Sequence, residues 1–417
     1  MQDLELKANQ CDTAEKIQQA IDSLGAAGGR IVLPEMQLEL DRGLEMRSGV
    51  VLSGQGQGTR LRKGPGRAYR LATYHNYGMC DVPLESTEGL KAGMTVSIQD
   101  DSKGGFYGTF ARITWVEDKW VGLDRGLEAD YAIDANPRLT ITYPLVFGLN
   151  VEDVVVSNLT LDGNLEHNPH QMNECRGASI YFGNSHNIEV TGIHQRNYNG
   201  EGFGAQMCTN WRVRDCSFSE NTGNGLHPGA GSTGVLFENC VSEKNGLSGF
   251  FFCVRANHVT VRDCVFRGNN VNGVSVNTRD SYNLIENCMI EDNLDCGICF
   301  QGPSNADRPG AQPHSCLVKA CKIGNNCLQE GAAQLEVGKW VRDIILEKNV
   351  IASGSKQTAG IAVDKMASDI FMADNKLDDC HPDVRAEEKS FTDSRPQFNC
   401  GHESVKTHDM RHLFPGK

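Results

Sequence analysis

Three side chains near the middle of the chain are suited to removing a proton from a sugar acid: His227, Arg255 and Arg279. Elimination from a uronate requires a base that takes the C5 proton, and cations that neutralise the carboxylate as negative charge develops. The sequence predicts His227 as that base and the two arginines as the neutralising groups. Asp280 follows Arg279, and the sequence leaves open whether this aspartate forms an ion pair with the arginine or takes part in acid–base chemistry.

These residues lie in a stretch where one short fragment returns with a fixed period. The step is 24 residues, and it is kept by Cys216, Cys240, Cys264 and Cys288, by Asn221, Asn245, Asn269 and Asn293, and by Gly225, Gly249, Gly273 and Gly297. A period of this size indicates a solenoid, in which each coil buries its apolar side chains against its neighbours. The predicted fold class is therefore all-β, a parallel β-helix with about 24 residues per coil.

The cysteine position of the repeat extends in both directions along the chain. It is predicted to run through nine coils, at Leu159, Ile193, the four cysteines, Cys321, Asn349 and Asn375. Equivalent positions in stacked coils lie roughly 4.8 Å apart, where a free thiol packs as a small hydrophobe beside the next one. We expect these cysteines to form a reduced packing ladder rather than disulfides, and the sequence predicts no metal site.

The two ends and one internal stretch depart from the repeat. Residues 12–24 have the apolar spacing of an amphipathic helix, which we expect to cap the first coil within residues 1–79. Residues 80–144 alternate like antiparallel strands and predict a β-rich insertion on the flank of the solenoid. Regular coils are predicted for residues 145–380. Residues 381–417 lose the period and are expected to cover the last coil.

Alternation along the strands predicts which side chains face outward. In the strand after each repeat glycine, the side chains predicted to point inward are apolar, and they include Met207 and Val254. The outward set contains amides, arginines, a histidine and aromatic rings, which resemble a surface that contacts carbohydrate. Besides the residues already named, the sequence predicts substrate binding by Tyr181, Gln206, Asn277 and Gln301.

A long loop upstream offers a second group of candidates. His170 and Arg176 lie in it and are predicted to border the substrate cleft, because long loops on rigid scaffolds often carry function. Glu201 follows the loop, and with Asp162 or Asp280 it would supply the paired carboxylates of a hydrolase, roughly 5–9 Å apart.

Composition limits the partners. The formal net charge of −13 argues against broad binding to nucleic acid, which requires a basic surface. No apolar run approaches the roughly 20 residues that span a bilayer, and no signal segment follows Met1, so no membrane partner is expected. We expect a secreted or periplasmic protein whose leader is absent from this numbering, with a cytoplasmic location as the alternative.

Several fragments resemble a known superfamily. The opening DTAEKIQQAIDSLGAAGGRIVLP, the following GVVLSGQGQGTRL and the later SGFFF and NGVSV are similar to the pectate-lyase-like right-handed parallel β-helix proteins. The resemblance implies a right-handed solenoid and an acidic poly- or oligosaccharide as substrate, and no cofactor is expected. We expect a polysaccharide lyase acting by β-elimination, with a glycoside hydrolase or a uronate epimerase as alternatives. A non-catalytic glycan-binding or assembly protein is a further alternative.

Overall fold

The computed structural model describes residues 2–102, 108–172, 176–301 and 310–405. Most coils of the solenoid contribute three short strands, which pair in parallel with the equivalent strands of the coils before and after. The predicted all-β parallel solenoid is confirmed. One sheet contains 11 strands, namely Leu44–Glu45, Val146–Leu149, Ala178–Gly183, Glu201–Gln206, Leu226–Pro228, Phe250–Phe251, Val274–Val276, Ile298–Phe300, Ala333–Val337, Ala359–Val363 and Val384–Arg385.

The other two strands of each coil belong to a second, continuous sheet of 21 strands. Its strands are Gln2–Glu5, Gly29–Val32, Met36–Leu40, Val50–Lys63, Glu152–Asp162, His186–Thr191, His194–Arg196, Arg212–Arg214, Ser217–Ser219, Thr233–Glu238, Val241–Glu243, Asn257–Arg262, Val265–Arg267, Leu284–Glu286, Met289–Glu291, His314–Lys319, Lys322–Gly324, Arg342–Glu347, Val350–Ala352, Ser368–Ala373 and Lys376–Asp378. The core lies between the two sheets. One fully buried column from the 11-stranded sheet consists of Ile180, Phe203, Leu226, Phe250, Val274, Ile298, Leu335 and Ile361.

Two ladders hold the coils in register. The predicted cysteine column from Leu159 through Ile193 to Asn375 agrees with the strand pairing, and its thiols are free and buried. The 15 cysteines in the described residues form no disulfide. In the second ladder, each asparagine side chain donates to the next at 2.7–3.0 Å, from Asn221 through Asn245, Asn269 and Asn293 to Asn326. Buried amides stay stable only when their donors and acceptors are paired in this way.

The helix Ala14–Ser23 covers the first coil. Thr13 caps it by accepting a hydrogen bond from the backbone N–H of Lys16 at 3.2 Å. Gln18 exchanges two hydrogen bonds with the backbone of Glu45, at 2.8 and 2.9 Å. Glu45 lies in the first strand of the 11-stranded sheet, and no further described strand pairs with the outer edge of that strand. The side-chain amide of Gln18 bonds to the backbone of Glu45 at this edge instead. Short 3₁₀ helices occur at Ala8–Gln10, Gly25–Ala27, Ile133–Ala135, Leu165–His167, Glu388–Ser390 and His402–Val405.

A separate antiparallel sheet interrupts the solenoid, as the alternating pattern predicted. Its six strands, in spatial order, are Ala68–Arg70, Arg138–Ile141, Thr95–Gln99, Thr109–Glu117, Trp120–Leu123 and Asp81–Pro83. The sheet starts at Ala68, earlier than the residue 80 expected from the sequence. Its own apolar core includes Leu84, Val96, Ile98 and Val121. The insertion is therefore a small packed unit rather than a loose arm.

The expected inward direction is wrong for two side chains, Met207 and Val254. Met207 is 58% exposed and Val254 is half-buried, because both have positive φ angles of 52° and 38° in the turns that follow their strands.

The described part of the tail does more than cover the last coil. After Val384–Arg385 pairs with the last coils, it returns along the 21-stranded sheet, where His402 N–H donates to Thr260 Oγ1 at 2.9 Å.

None of the helices in the described residues is long and apolar enough to cross a membrane.

We predict that Asn269→Ala destabilises the solenoid by about 3 kcal/mol, since it removes the side-chain hydrogen bonds to Asn245 and Asn293 and leaves the buried backbone N–H of Asn245 without its acceptor. Urea denaturation followed by circular dichroism measures the change. Asn270→Ala, at the exposed neighbouring position, is the matched control and should shift the midpoint little. Equal shifts for the two variants would contradict a structural role for the ladder.

Candidate functional site

A row of side chains runs along the outside of the 11-stranded sheet. Strand pairing aligns Tyr181 with Gly204 and His227 and, further along, Ser275 with Cys299, and each step is one coil. The ring of Phe251 lies edge-on to that of His227, with centroids 5.0 Å apart. Although these side chains point away from the core, Tyr181, His227 and Ser275 are at most 8% exposed. The outer face is therefore covered here rather than open to solvent.

Glu201 and His227 form a buried pair on this face. Nδ1 of His227 lies 2.8 and 2.7 Å from the two carboxylate oxygens of Glu201. Asn224 also donates to Glu201 Oε1, at 2.8 Å. The Nε2 atom of His227 is buried and has no hydrogen-bond partner among the described residues. The pair thus leaves one imidazole nitrogen without a described partner at a position sealed from water.

The charge state of His227 follows from this environment. Burial by itself lowers the pKa of the imidazole, but the negative charge of Glu201 and the adjacent Cys253 thiol outweigh burial and raise the pKa to about 10. At neutral pH the ring is therefore protonated and Nε2 carries a proton. The site contains an imidazolium held by a carboxylate, which is a proton donor and a local positive charge.

Hydrogen bonds extend from Glu201 across the neighbouring coils. Asn224 Oδ1 accepts from Ser248 N–H at 3.0 Å, and Ser248 Oγ lies 2.9 Å from Ser275 Oγ. Asn272 Nδ2 donates to Ser275 Oγ at 2.9 Å, whereas its own Oδ1 is buried and has no partner in the part of the chain that the structure describes. This chain of polar groups holds Glu201 in place and makes the outer face polar over several coils.

Cys253 is a site residue that the sequence analysis missed. It lies two positions after Phe251, so strand alternation places it on the same outer face, and its thiol is close enough to influence the His227 ring. Unlike the ladder cysteines it is only half-buried. The signal was present in the outward register of the SGFFF strand, but Cys253 was not included in the outward set.

The two predicted arginines lie apart from the buried pair. Arg255 and Arg279 are exposed, and both have positive φ angles, 68° and 59°, in successive turns that leave the 11-stranded sheet. The backbone N–H of Arg255 donates to Thr278 O at 2.9 Å, so the two turns stack. Neither guanidinium forms an ion pair with a described residue. The structure does not bring them into contact with His227, as the sequence suggested, but leaves two neighbouring cations on the surface.

Asp280 has a different role from either predicted one. It is fully buried, and its carboxylate accepts the backbone N–H groups of Ala256 and Asn277 at 2.8 Å. Burial raises its pKa to about 7 against the effect of these hydrogen bonds. The expected ion pair with Arg279 does not form, because the arginine points to solvent while the carboxylate is used to fix two successive turns.

The predicted substrate-binding residues are divided among several environments. The side-chain amide of Asn277 donates to Phe252 O at 2.8 Å and so stabilises a turn. Tyr181 OH donates to Gln206 Oε1 at 3.2 Å, and both side chains are buried on the outer face near His227. Gln301 is exposed at the edge of a pocket further along the solenoid. Of this set, only Tyr181 and Gln206 lie on the coils next to the buried pair.

Side chains of the upstream loop contact the β-rich insertion. Arg176 donates to both carboxylate oxygens of Glu128 at 2.8 Å and to Gly108 O at 2.9 Å. This ion pair makes Arg176 a docking residue, which corrects its predicted substrate-binding role. His170 is half-buried, and its pKa is lowered by burial and by the charge of Arg138 in the insertion. Its side chain is therefore neutral and lies against the insertion.

The carboxylate pair proposed for a hydrolase is not assembled. Asp162 ends a strand of the 21-stranded sheet, whereas Glu201 begins a strand of the 11-stranded sheet. Burial raises the pKa of Asp162, but the N–H of Asn164 and the charge of Arg60 hold it below its usual range. With ion pairs to Arg60 and Arg196, Asp162 is a structural residue.

A pocket of about 450 Å³ opens on the same outer face, several coils beyond His227. Cys299, Gln301 and Glu336 form part of its lining, together with the charged residues Lys339 and Arg385. Among the described residues, Cys296, Cys299 and Glu336 form a group whose ligand atoms are close enough to hold a metal ion.

Comparison with known proteins agrees with this architecture. A family model described as a right handed beta helix region matches residues 148–288. The chain is a right-handed parallel β-helix. The predicted handedness is thereby confirmed. No curated protein sequence matches the chain.

Solved structures of the same β-helical fold cover almost the whole chain. The A-module of the Azotobacter vinelandii mannuronan C-5 epimerase AlgE4 is 16% identical, with 91% of this chain and 95% of that chain covered and a TM-score of 0.59. The A-module of AlgE6 from the same organism is 18% identical, with coverages of 92% and 96% and a TM-score of 0.56. ORF18 of Geobacillus virus E2 is 11% identical, with coverages of 96% and 63% and a TM-score of 0.51. At these identities the likeness concerns the fold.

We predict that His227 makes stability depend on pH in the alkaline range. Its pKa is raised in the folded state, so its contribution is complete below the unfolded value of about 6.5 and is lost as the pH rises through about 10. The difference in melting temperature between the native protein and His227→Gln should therefore be largest at about pH 6.5 and shrink as the pH rises towards 10. A difference that stays constant over this range would contradict the buried charged pair.

Proposed function

We propose that this protein is a carbohydrate-active enzyme that acts at C5 of the uronate residues of an acidic poly- or oligosaccharide, by β-elimination. The buried Glu201–His227 pair carries the proposal. A charged imidazole and a carboxylate are costly to bury, and such pairs with shifted pKa values occur preferentially at functional sites. The pair lies on the outer sheet face, and the Nε2 atom of His227, which has no partner among the described residues, is the atom that would act on the substrate.

The charge state revises the role that the sequence suggested for His227. With a pKa of about 10, the ring is a proton donor at neutral pH rather than a base. Its Nε2–H neutralises the uronate carboxylate as the C5 proton leaves, or delivers a proton to the departing glycosidic oxygen. Glu201 fixes the ring through Nδ1 and stabilises its charge, and Asn224 orients Glu201. Glu201 is thus a positioning residue.

Cys253 is placed to take the C5 proton. Its sulfur lies beside the imidazolium on the same face, and it is half-buried where His227 is fully enclosed. We assign Cys253 as the proton acceptor, which would act in its deprotonated form, and His227 as the proton donor beside it.

Arg255 and Arg279 fit the binding of a polyanionic chain. The protein carries a formal net charge of −13, so an acidic substrate needs local cations. These two side chains are exposed on successive turns, with no ion pair to a described residue, and successive coils are about 4.8 Å apart. They are suited to hold carboxylates of neighbouring sugars while the chemistry takes place at His227.

Epimerisation at C5 is the second candidate. It begins with the same proton abstraction and ends with reprotonation from the opposite face instead of loss of the glycosidic oxygen. The likeness to the two mannuronan C-5 epimerase modules, over more than nine-tenths of each chain, favours it as the alternative. A hydrolase is less well supported, because Asp162 and Asp280 are both committed to structural contacts.

We predict that incubation with polymannuronate, polyguluronate or polygalacturonate produces the ultraviolet absorbance of unsaturated uronates. His227→Gln and Cys253→Ser should each lower the rate by about a hundredfold or more, since each removes a proton-transfer group. His194→Gln, which changes an exposed histidine on the other sheet, is the control and should retain full activity.

The assay also separates the alternatives. Incorporation of deuterium at C5 from heavy water, with altered stereochemistry and no chain cleavage, would indicate the epimerase. Reducing ends without the absorbance would indicate a hydrolase. Binding of a polyuronide without turnover, unchanged in His227→Gln, would refute catalysis and indicate a glycan-binding protein.

We predict that the double variant Arg255→Gln, Arg279→Gln mainly weakens substrate binding. Each exposed cation contributes on the order of 1 kcal/mol or less to binding a charged group, so KM should rise by roughly tenfold while kcat changes little. The native KM should also rise with salt, and this dependence should be smaller in the variant. Steady-state kinetics at two ionic strengths provides the measurement, and a loss of kcat with unchanged KM would contradict the assignment.

A further inference from the structure

Three potential metal ligands converge at one end of the outer sheet face. The sulfurs of Cys296 and Cys299 and a carboxylate oxygen of Glu336 all lie within 4.8 Å of one another. Both thiols are buried, at 2% and 5% exposure, and Glu336 is half-buried. Cys299 Sγ and Glu336 Oε2 are 4.0 Å apart. No function proposed above uses these residues.

The fold brings them together for definite reasons. Cys299 and Glu336 are paired residues on adjacent parallel strands, so their side chains point to the same face. Cys296 and Cys299 are three positions apart and would face opposite sides of a straight strand. Gly297 stands at the corner before the strand Ile298–Phe300, and the chain bends there, which turns both thiols to one side.

This group differs from the cysteine ladder. In the ladder, Cys240 and Cys264 occupy one equivalent position per coil inside the core, and their sulfurs hydrogen-bond backbone carbonyls, as Cys240 does to Glu238 O at 3.3 Å. Here two non-equivalent cysteines face a carboxylate on the outside of the sheet. Glu336 accepts the backbone N–H of Ala332 at 3.0 Å and has no ion pair among the described residues. Its second oxygen, Oε2, faces the sulfur of Cys299.

We propose that Cys296, Cys299 and Glu336 bind a zinc ion or a similar thiophilic divalent cation. Zinc accepts thiolate and carboxylate ligands, at about 2.3 and 2.1 Å, and tetrahedral geometry then places the ligand atoms about 3.5–3.8 Å apart. The separations of up to 4.8 Å reach these values by small rotations of the side chains. The two cysteines form a C-x-x-C motif, which is a frequent spacing for zinc ligands.

The site opens onto a ligand pocket. Cys299 and Glu336 belong to the wall of the 450 Å³ pocket, together with Gln301, Lys339 and Arg385. Three protein ligands leave one position of a tetrahedral zinc for a water molecule or a ligand atom, as in zinc sites that interact with substrates. The charged side chains of the wall are two cations, Lys339 and Arg385, and two acids, Glu336 and Asp364. The ligand class is therefore a water molecule or a small molecule that offers zinc an oxygen, nitrogen or sulfur atom.

The sequence alone did not indicate this site. A C-x-x-C motif suggests zinc when a second matching pair follows, and none is present. The third ligand is an isolated glutamate 37 positions after Cys299. It becomes adjacent only because the next coil includes a longer connection and Glu336 then pairs with Cys299 in the sheet.

Metal analysis of the untagged full-length protein tests the proposal. After incubation with zinc and removal of free metal, inductively coupled plasma mass spectrometry should find about one zinc per chain. Cys299→Ser and Glu336→Gln should each lower this content at least tenfold, as expected from losing one of three protein ligands. Substitution with cobalt(II) should give the intense visible bands of a four-coordinate ion and a sulfur-to-metal charge-transfer band, both absent from Cys299→Ser.

Cys264→Ala is the matched control, because it removes a buried ladder thiol without touching the site, and it should keep the metal. Circular dichroism and thermal melting verify that every variant is folded, and Glu336→Gln preserves the shape of the site if Cys299→Ser does not fold. Three results would overturn the proposal: less than a tenth of a zinc per chain, equal metal content in Cys299→Ser and Cys264→Ala, or a Cys296–Cys299 disulfide found by peptide mass spectrometry. None of these readouts depends on activity towards a polyuronide, so this site and the proposed function fail separately.

Discussion

The whole structure depends on exact stacking of one coil on the next. Every strand of the solenoid satisfies its backbone through its neighbours, so a slip of one residue would turn apolar side chains outward and polar ones into the core. The asparagine ladder prevents such a slip, because each buried amide from Asn221 to Asn326 fits only when the next amide is in line. The ladder survives the longer connection between Asn293 and Asn326, which spans 33 residues instead of 24. The register of the described coils is thus kept across the longer connection.

The same stacking explains how a charged pair exists on an outer face. Glu201 and His227 come from adjacent coils, and their separation of 2.7 Å is set by strand pairing rather than by proximity in the sequence. Removing two charges from water is costly unless they are paired and hydrogen-bonded, and Asn224 supplies the additional donor. The pair therefore has a fixed geometry that side chains on a mobile loop would not maintain. This rigidity is what proton transfer to a bound sugar requires.

The face also separates two kinds of chemistry along the axis of the solenoid. Around His227 the outer row offers an imidazolium, an adjacent thiol and aromatic side chains, next to exposed arginines on the turns. Further along, the row passes through Ser275 to Cys299 and Glu336, where thiols and a carboxylate meet beside a pocket. Successive coils place different side chains on this face, so its chemistry changes along the solenoid. A solenoid can in this way carry distinct sites without altering its core.

The sequence by itself determined the fold, because periodic features report a repeated structure directly. The 24-residue step of Cys216 and Asn221 predicted the coils, their ladders and the inward residues apart from Met207 and Val254. The spacing around Ile17 and Ile21 predicted the cap. It also selected Glu201 and His227, but not as partners, and it assigned the histidine the opposite protonation role. Tertiary structure decided their pairing, the burial of Asp280, the ion pair of Arg176 and the meeting of Cys299 with Glu336. The physical reason is that pKa values, ion pairs and metal ligation depend on atoms a few ångströms apart, whereas a repeat pattern fixes only which residues share a column.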